Sequence, residues 1–290
     1  MPRGQYNSSI TRVRPVFGRL IRRDPSGNSW LRALLATVAE GQPEEDLIEN
    51  PGEIYPHLTD TRPYLDSVLA DHGVPEIDLE RCFEMTIPPP SAFLEWLIRN
   101  PNSLSWPLRG GEETRYGPAT QVKREQLVGR RTRADADEAR KEALDQLAVF
   151  GPEGSKRQWW AFEGFTDVDC YIETDKLVLV IEGKRTEGLS KSTNWYPLRS
   201  QLARNLEVAA ELAGDRKATG VLLAVESDGF DVSLNEIELG LPHLEGDDLG
   251  RVTSRLFGPV TWRSICEATS LDFADLPDTT ELVAASLRSG

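Results

Sequence analysis

Three side chains within residues 166–184, TDVDCYIETDKLVLVIEGK, have types and spacing that could do chemistry: Asp169, Glu182 and Lys184. Two carboxylates that face each other repel, and a divalent cation is the usual way to keep both ionised. Hard Mg²⁺ takes one or two carboxylates and keeps several of its waters. Such an ion lowers the pKa of a bound water, orients an attacked phosphate and neutralises the leaving oxygen. A nearby lysine then stabilises transition-state charge or positions the nucleophilic water. One Asp, one Glu and one Lys are enough for metal-assisted phosphodiester hydrolysis.

The elements that must position them can be read from the same window. Residues 177–181, LVLVI, are continuously apolar, which suits a strand buried on both faces. A carboxylate and an ammonium at the end of such a strand are costly unless compensated, a local conflict typical of functional sites. If Asp175 and Lys176 form a two-residue turn, Thr174 lies opposite Leu177, Asp169 opposite Glu182 and Asp167 opposite Lys184. Alternation puts Glu182 and Lys184 on one face and Gly183 on the other. A longer loop would shift this pairing by a residue. Repulsion between the facing acids implies that loss of either leaves the fold intact or more stable.

Upstream, 134–147 reads as a helix of strong formers with acids near its start, ended at Phe150, Gly151 and Pro152. Residues 158–162, QWWAF, read as a first strand. Downstream, 196–212 carries a helical stripe at Leu198, Leu202, Leu206, Ala209 and Ala210, closed by Gly214 and Asp215. Residues 220–225 form another buried strand.

Asp169, an intervening hairpin, then Glu182-Gly183-Lys184 at the end of a buried strand resemble the PD-(D/E)XK nuclease superfamily, as does the order helix, three strands, helix, strand. Val168 stands where the family often has Pro. The resemblance covers about 134–226 and implies an α/β protein with a restriction-endonuclease-like core: a small mixed sheet flanked by helices, with a helical N-terminal region. It implies a Mg²⁺-dependent nuclease, Mn²⁺ substituting, that acts on nucleic acid, DNA rather than RNA. Asp169 and Glu182 are then metal ligands, the Gly183 backbone carbonyl a further ligand, and Lys184 the catalytic lysine. Glu142, or Glu138 one turn earlier, matches an extra acid that relatives place near the metal; the plain alternative is a solvated acid. Gln201 matches a residue that some relatives follow four positions later with Tyr, where this chain has Asn205. Arg199, Gln201 and Arg204 are spaced so that they could face a phosphate backbone and bind substrate, the plain alternative for the two arginines being solvated helix residues. On the polar loop 185–195, Lys191 could touch phosphate, and Trp195 and Tyr196 either stack on a base or anchor the next helix. Two other readings remain open: a nuclease-like module that binds nucleic acid or protein without cutting, and a structural ion pair in an unrelated α/β fold.

The chain has 290 residues and a net charge of −14, with a pI near 4.8. Nonspecific binding of long duplex DNA usually needs a basic protein. The local exception is Lys123, Arg124, Arg130, Arg131 and Arg133, either a basic rim or a solvated linker. Three widely spaced cysteines (82, 170 and 266) and three unpaired histidines (57, 72 and 243) give no zinc or disulfide framework, so a reduced cytoplasm is expected. No esterase elbow, P-loop, signal peptide or bilayer-length apolar run is present, so no membrane partner is expected. A homodimer with two sites would cut both strands more easily than a monomer.

The division expected is 1–115, a helical region, and 116–290, the nuclease-like domain, with a Gly- and Pro-punctuated boundary at 107–118. Residues 1–27 read as a basic, loosely packed arm. Helices are expected at 30–40, 63–70 and 91–99, a helix at 249–257, and a short strand or helix at 260–268.

Overall fold

The N-terminal segment expected to be a loose arm is a helix built into the core. The computed structural model describes residues 7–24, 27, 29–39, 85–105, 117–156, 158–173, 177–214 and 218–279. A π-helical turn over Ser9–Val13 runs into helix α1 (Arg14–Arg23). Pro15 cannot donate to an α-helical ladder; just before it, the Arg14 N–H bonds the Ser9 carbonyl, five residues back. Val13, Val16, Phe17, Leu20 and Ile21 form a buried stripe. The arginines between them suggested a solvated arm, but Arg12 is itself buried and held by Glu226.

The other elements follow in chain order: α2 (Leu31–Ala39), β1 (Met85–Ile87), α3 (Ser91–Arg99), α4 (Pro118–Leu127) and α5 (Arg133–Phe150), then β2 (Thr166–Val168), β3 (Cys170–Glu173) and β4 (Leu177–Gly183). Helix α6 (Gln201–Ala213) leads to β5 (Ala218–Val225), and α7 (Leu234–Leu239) and α8 (Gly246–Thr253) lead to β6 (Leu256–Thr261) and α9 (Trp262–Ala268). Strands β3-β4-β5-β6 form one mixed sheet in that order, β3 antiparallel to β4 and the rest parallel. The protein is mixed α/β. All seven residues of β4 are buried, as its apolar run requires. The β3–β4 register is the expected one, with Cys170 opposite Ile181 and Tyr171 opposite Val180. One sheet face packs against α1, α2 and α9, the other against α6 with Ile237 of α7 and Val252 of α8.

Several expectations change here. Residues 166–173 are two strands in two sheets, because the chain bends at Asp169; Asp167 lies opposite Thr86 of β1, not opposite Lys184. Helix α5 does not flank the sheet. It packs with α3 and α4 around Trp159, Trp160, Phe162, Trp195 and Tyr196, while α1 and α2 cover the sheet face. The sheet's core therefore reaches outside 134–226 on both sides, to α1 and to β6. The strand expected at 158–162 is a turn whose aromatics fill this helical cluster, and the Trp160 indole donates to Gln146 Oε1 at 2.8 Å. Helix α6 starts at Gln201, where Ser200 Oγ accepts from the Ala203 N–H, and Leu198 is exposed before it. The helix expected at 249–257 is α8, then strand β6. The helix at 63–70, the turn at Asp175 and Lys176, Cys82 and most of the 107–118 boundary lie outside the described residues.

Candidate active site at the end of strand β4

Glu182 comes one residue before the end of β4, its side chain turned toward α6 and 1 % exposed. Three donors surround its carboxylate. Lys184 Nζ is 2.8 Å from Oε1, Gln201 Nε2 donates to Oε1 at 2.8 Å, and Asn205 Nδ2 donates to Oε2 at 2.8 Å. Gln201 and Asn205 are four residues apart, which puts them on one face of α6. The backbone under Lys184 is pinned: its N–H bonds the Ala224 carbonyl, and its own carbonyl accepts from the Trp262 indole. Burial pushes the Glu182 carboxyl above its ordinary range; Lys184, Asn205 and Arg204 pull it back without cancelling that effect.

Asp169 sits at the bend before β3. Its Oδ2 accepts from the Gly183 N–H at 2.9 Å. Three donors converge on Glu182, so its loss would strand them, against the expectation that removing this acid leaves the fold more stable. Gly183 is glycine for packing reasons. A Cβ there would lie 2.5 Å from Val13 Cγ2 and 3.0 Å from the Trp262 ring, because the N-terminal helix crosses β4 at this point. The Gly183 carbonyl, expected as a metal ligand, accepts from Ser8 Oγ at 2.8 Å, and the Ser8 N–H donates to Glu187.

Behind this cluster lies a second, wholly internal one. Arg199 is 0 % exposed; its Nε donates to Glu163 Oε2 at 2.9 Å and its Nη1 to the Gly240 carbonyl. Its guanidinium lies 3.7 Å from the centre of the Phe93 ring. Arg199 Nη2 comes within 2.7 Å of Glu207 Oε2, though not aligned for a hydrogen bond, and Glu207 Oε1 meets His243. Burial raises the Glu207 carboxyl, but Arg199 and His243 more than offset it and hold it below its usual range. Arg199 is therefore a core ion-pair residue, not the phosphate contact expected of it. Arg204 bridges the two clusters: it donates to Thr166 Oγ1, lies 3.7 Å from Glu163, and contributes to the field at Glu182.

The remaining candidates lie elsewhere. Lys191 is exposed and pairs with Glu236 at 3.1 Å. Glu142 bonds Lys123 and Gln146, so its partners are on the α4–α5 pair and not in the Glu182 cluster, and Glu138 lines a groove on that same helix. Trp195 and Tyr196 are core anchors. Arg124, from the expected basic rim, is buried over the Trp195 ring at 4.3 Å. Asn205, Ser8 and Glu163 are the members that sequence reasoning missed. For Asn205 the signal was present, four residues after Gln201; for Ser8 and Glu163 no local pattern existed.

Among the described residues, no group of three or more His, Cys, Asp or Glu is placed to share a metal. Mg²⁺ needs fewer: one or two carboxylates, with water completing its shell. Glu182 Oε2 accepts a hydrogen bond from Asn205 and has further acceptor capacity, and Asn205 Oδ1 is a buried oxygen with no hydrogen-bond partner. Glu182 and Asn205 thus present oxygens of the kind a hard cation takes, with water completing its shell, while Asp169 Oδ2 is engaged by the Gly183 N–H. No described helix is long and apolar enough to cross a membrane. Comparison with protein-family models, with curated proteins and with solved structures gave no match.

Proposed function

We propose that this chain is a metal-dependent nuclease with a restriction-endonuclease-like core, hydrolysing nucleic-acid phosphodiesters, DNA before RNA. The observation that carries the reading is the buried Glu182, paired with Lys184 at the end of the central strand and held from α6 by Gln201 and Asn205. A buried ion pair is poor value as a stabiliser, since apolar residues of similar volume usually serve as well. The antiparallel β3–β4 pair, the crossover through α6 and the parallel β5 also agree with the core that the Asp169 and Glu-Gly-Lys motif resembles.

In this reading Asp169 and Glu182 hold Mg²⁺ or Mn²⁺, which when bound supplies an activated water and neutralises phosphate charge. Gln201 and Asn205 orient the Glu182 carboxylate and favour its ionised form in spite of burial. The Lys184 ammonium stabilises the pentacovalent phosphate. With a net charge of −14, binding rests on a few contacts near the site rather than on a basic track.

The test is cleavage of linear duplex, supercoiled and single-stranded DNA, and of RNA, with Mg²⁺, Mn²⁺ or EDTA, beside Glu182→Ala and Lys184→Ala. Metal-dependent cutting lost in both variants supports the assignment, and a Lys184→Ala enzyme of normal rate removes that residue from the chemistry. A second reading, a module that binds without cutting, is favoured by one observation: Glu182 and the Gly183 carbonyl already have protein partners, including Ser8. Nucleic-acid binding indifferent to Mg²⁺, with no cleavage of any substrate, would select it.

A further inference from the structure

A cavity of about 280 Å³ opens between the loop that leaves β4 and the loop that follows β5. We infer that it takes one unpaired nucleobase next to the scissile phosphate, so that the substrate is a single strand or an extruded nucleotide rather than intact duplex. The inference rests on the nuclease reading for the position of the phosphate, and not for the pocket itself.

The first argument is connection. Ser190 forms part of the cavity wall; its carbonyl accepts from the Gln201 N–H at 2.7 Å. Gln201 then reaches Glu182 Oε1 through its own side chain. Gln201 therefore links the cavity wall directly to the carboxylate, which makes the cavity the neighbour of the proposed phosphate site.

Composition and size are the second. Leu202 and Ile237 are buried residues on its apolar side, Phe230 supplies an aromatic ring, and Lys191 stands at its exposed edge, paired with Glu236. Ligand pockets for drug-sized molecules run from about 300 to 1,000 Å³, so this one suits a single ring system. One aromatic residue and a lysine, beside the carboxylates Asp231 and Glu236, can stack a base and accept hydrogen bonds from its amino or ring N–H groups.

The charge balance is the third. An acidic chain gains little from counterion release along a duplex. Stacking one base gives affinity that does not depend on a basic surface, and a duplex must first be unstacked to offer it.

The experiment is fluorescence anisotropy in EDTA, where cleavage cannot interfere, with a labelled 15-mer DNA single strand, its blunt duplex, and a 15-mer that is abasic at every position. The single strand should bind at least tenfold tighter than the duplex, and the fully abasic strand should bind several-fold more weakly than the single strand. Two variants probe the cavity. Phe230→Ala removes the ring. Gly188→Phe adds bulk to a lining residue where an added Cβ meets no atom within 4 Å, and its thermal melt is compared with the parent's. Each should lower single-strand affinity about tenfold. Equal affinity for both DNA forms, or Gly188→Phe binding as the parent does, overturns the inference. The cleavage assay is scored separately. A chain that cuts duplex and ignores Gly188→Phe keeps the nuclease reading and loses the pocket; one that cuts nothing yet binds single strands through the cavity does the reverse.

Discussion

Replacing Glu182 by Gln and Lys184 by Met, singly and together, measures the pair at the centre of the site. At an effective dielectric constant of about 20, unit charges 2.8 Å apart attract by about 6 kcal/mol before desolvation is subtracted. Desolvation takes much of that back, and the upward displacement of the Glu182 carboxyl shows it. Breaking such a pair from one side costs about 3–5 kcal/mol, because the other charge stays buried and unpaired. Glu182→Gln puts an amide nitrogen among the donors Lys184 and Gln201, and it is satisfied only if the Asn205 amide turns over to offer its unpartnered Oδ1; otherwise the unsatisfied group costs about 1–3 kcal/mol. Lys184→Met keeps the aliphatic stem and strands only the carboxylate. The double variant removes both charges and should cost no more than one single variant, leaving a coupling energy of about 3 kcal/mol. Urea unfolding followed by tryptophan fluorescence reads all four proteins, the chain having seven tryptophans. If the single costs add to within about 0.5 kcal/mol, the two side chains are not paired in solution and the site geometry described above is refuted.

Three further outcomes are expected. Glu182 has its folded pKa raised, so between the ordinary value of 4.5 and the raised one the native state holds a proton that the unfolded chain has lost; its contribution to stability should fall as pH rises through that window, the reverse of an ordinary salt-bridged acid. Unfolding free energies of parent and Glu182→Gln taken stepwise from pH 4.5 to 7 test the sign, and a difference that grows in the parent's favour with pH contradicts it. Arg199→Met leaves Glu163 and Glu207 buried without their shared cation, a loss of at least about 4 kcal/mol that should abolish soluble expression; a folded variant melting within a few degrees of the parent would show the network to be dispensable. Gly183→Ala drives a methyl group into Val13 and Trp262 and should cost about 1–3 kcal/mol, part of which Val13→Ala in the same chain should restore in thermal melts.

The sequence by itself determined the parts that depend on local pattern. An uninterrupted apolar run with Glu182 and Lys184 at its end suits a buried strand with a costly terminus, and β4 is that strand. Its register followed from assuming a two-residue turn, α6 from its apolar stripe, and β5 from a second apolar run. Tertiary structure decided everything that needed two distant segments to meet. The arginines of the N-terminal segment look solvated until Glu226 and the sheet face are brought to them, and only then is Ser8 at the Gly183 carbonyl. Residues 158–162 have the composition of a strand, yet their aromatics find a better surface among three helices than beside β2. Arg199 and Gln201 are two positions apart and looked alike as phosphate contacts. The start of α6 between them turns Arg199 into the core, onto Glu163, and Gln201 toward Glu182, because side chains so spaced on the chain leave in different directions. Local periodicity says which face a residue takes; what waits on that face is a property of the assembled fold.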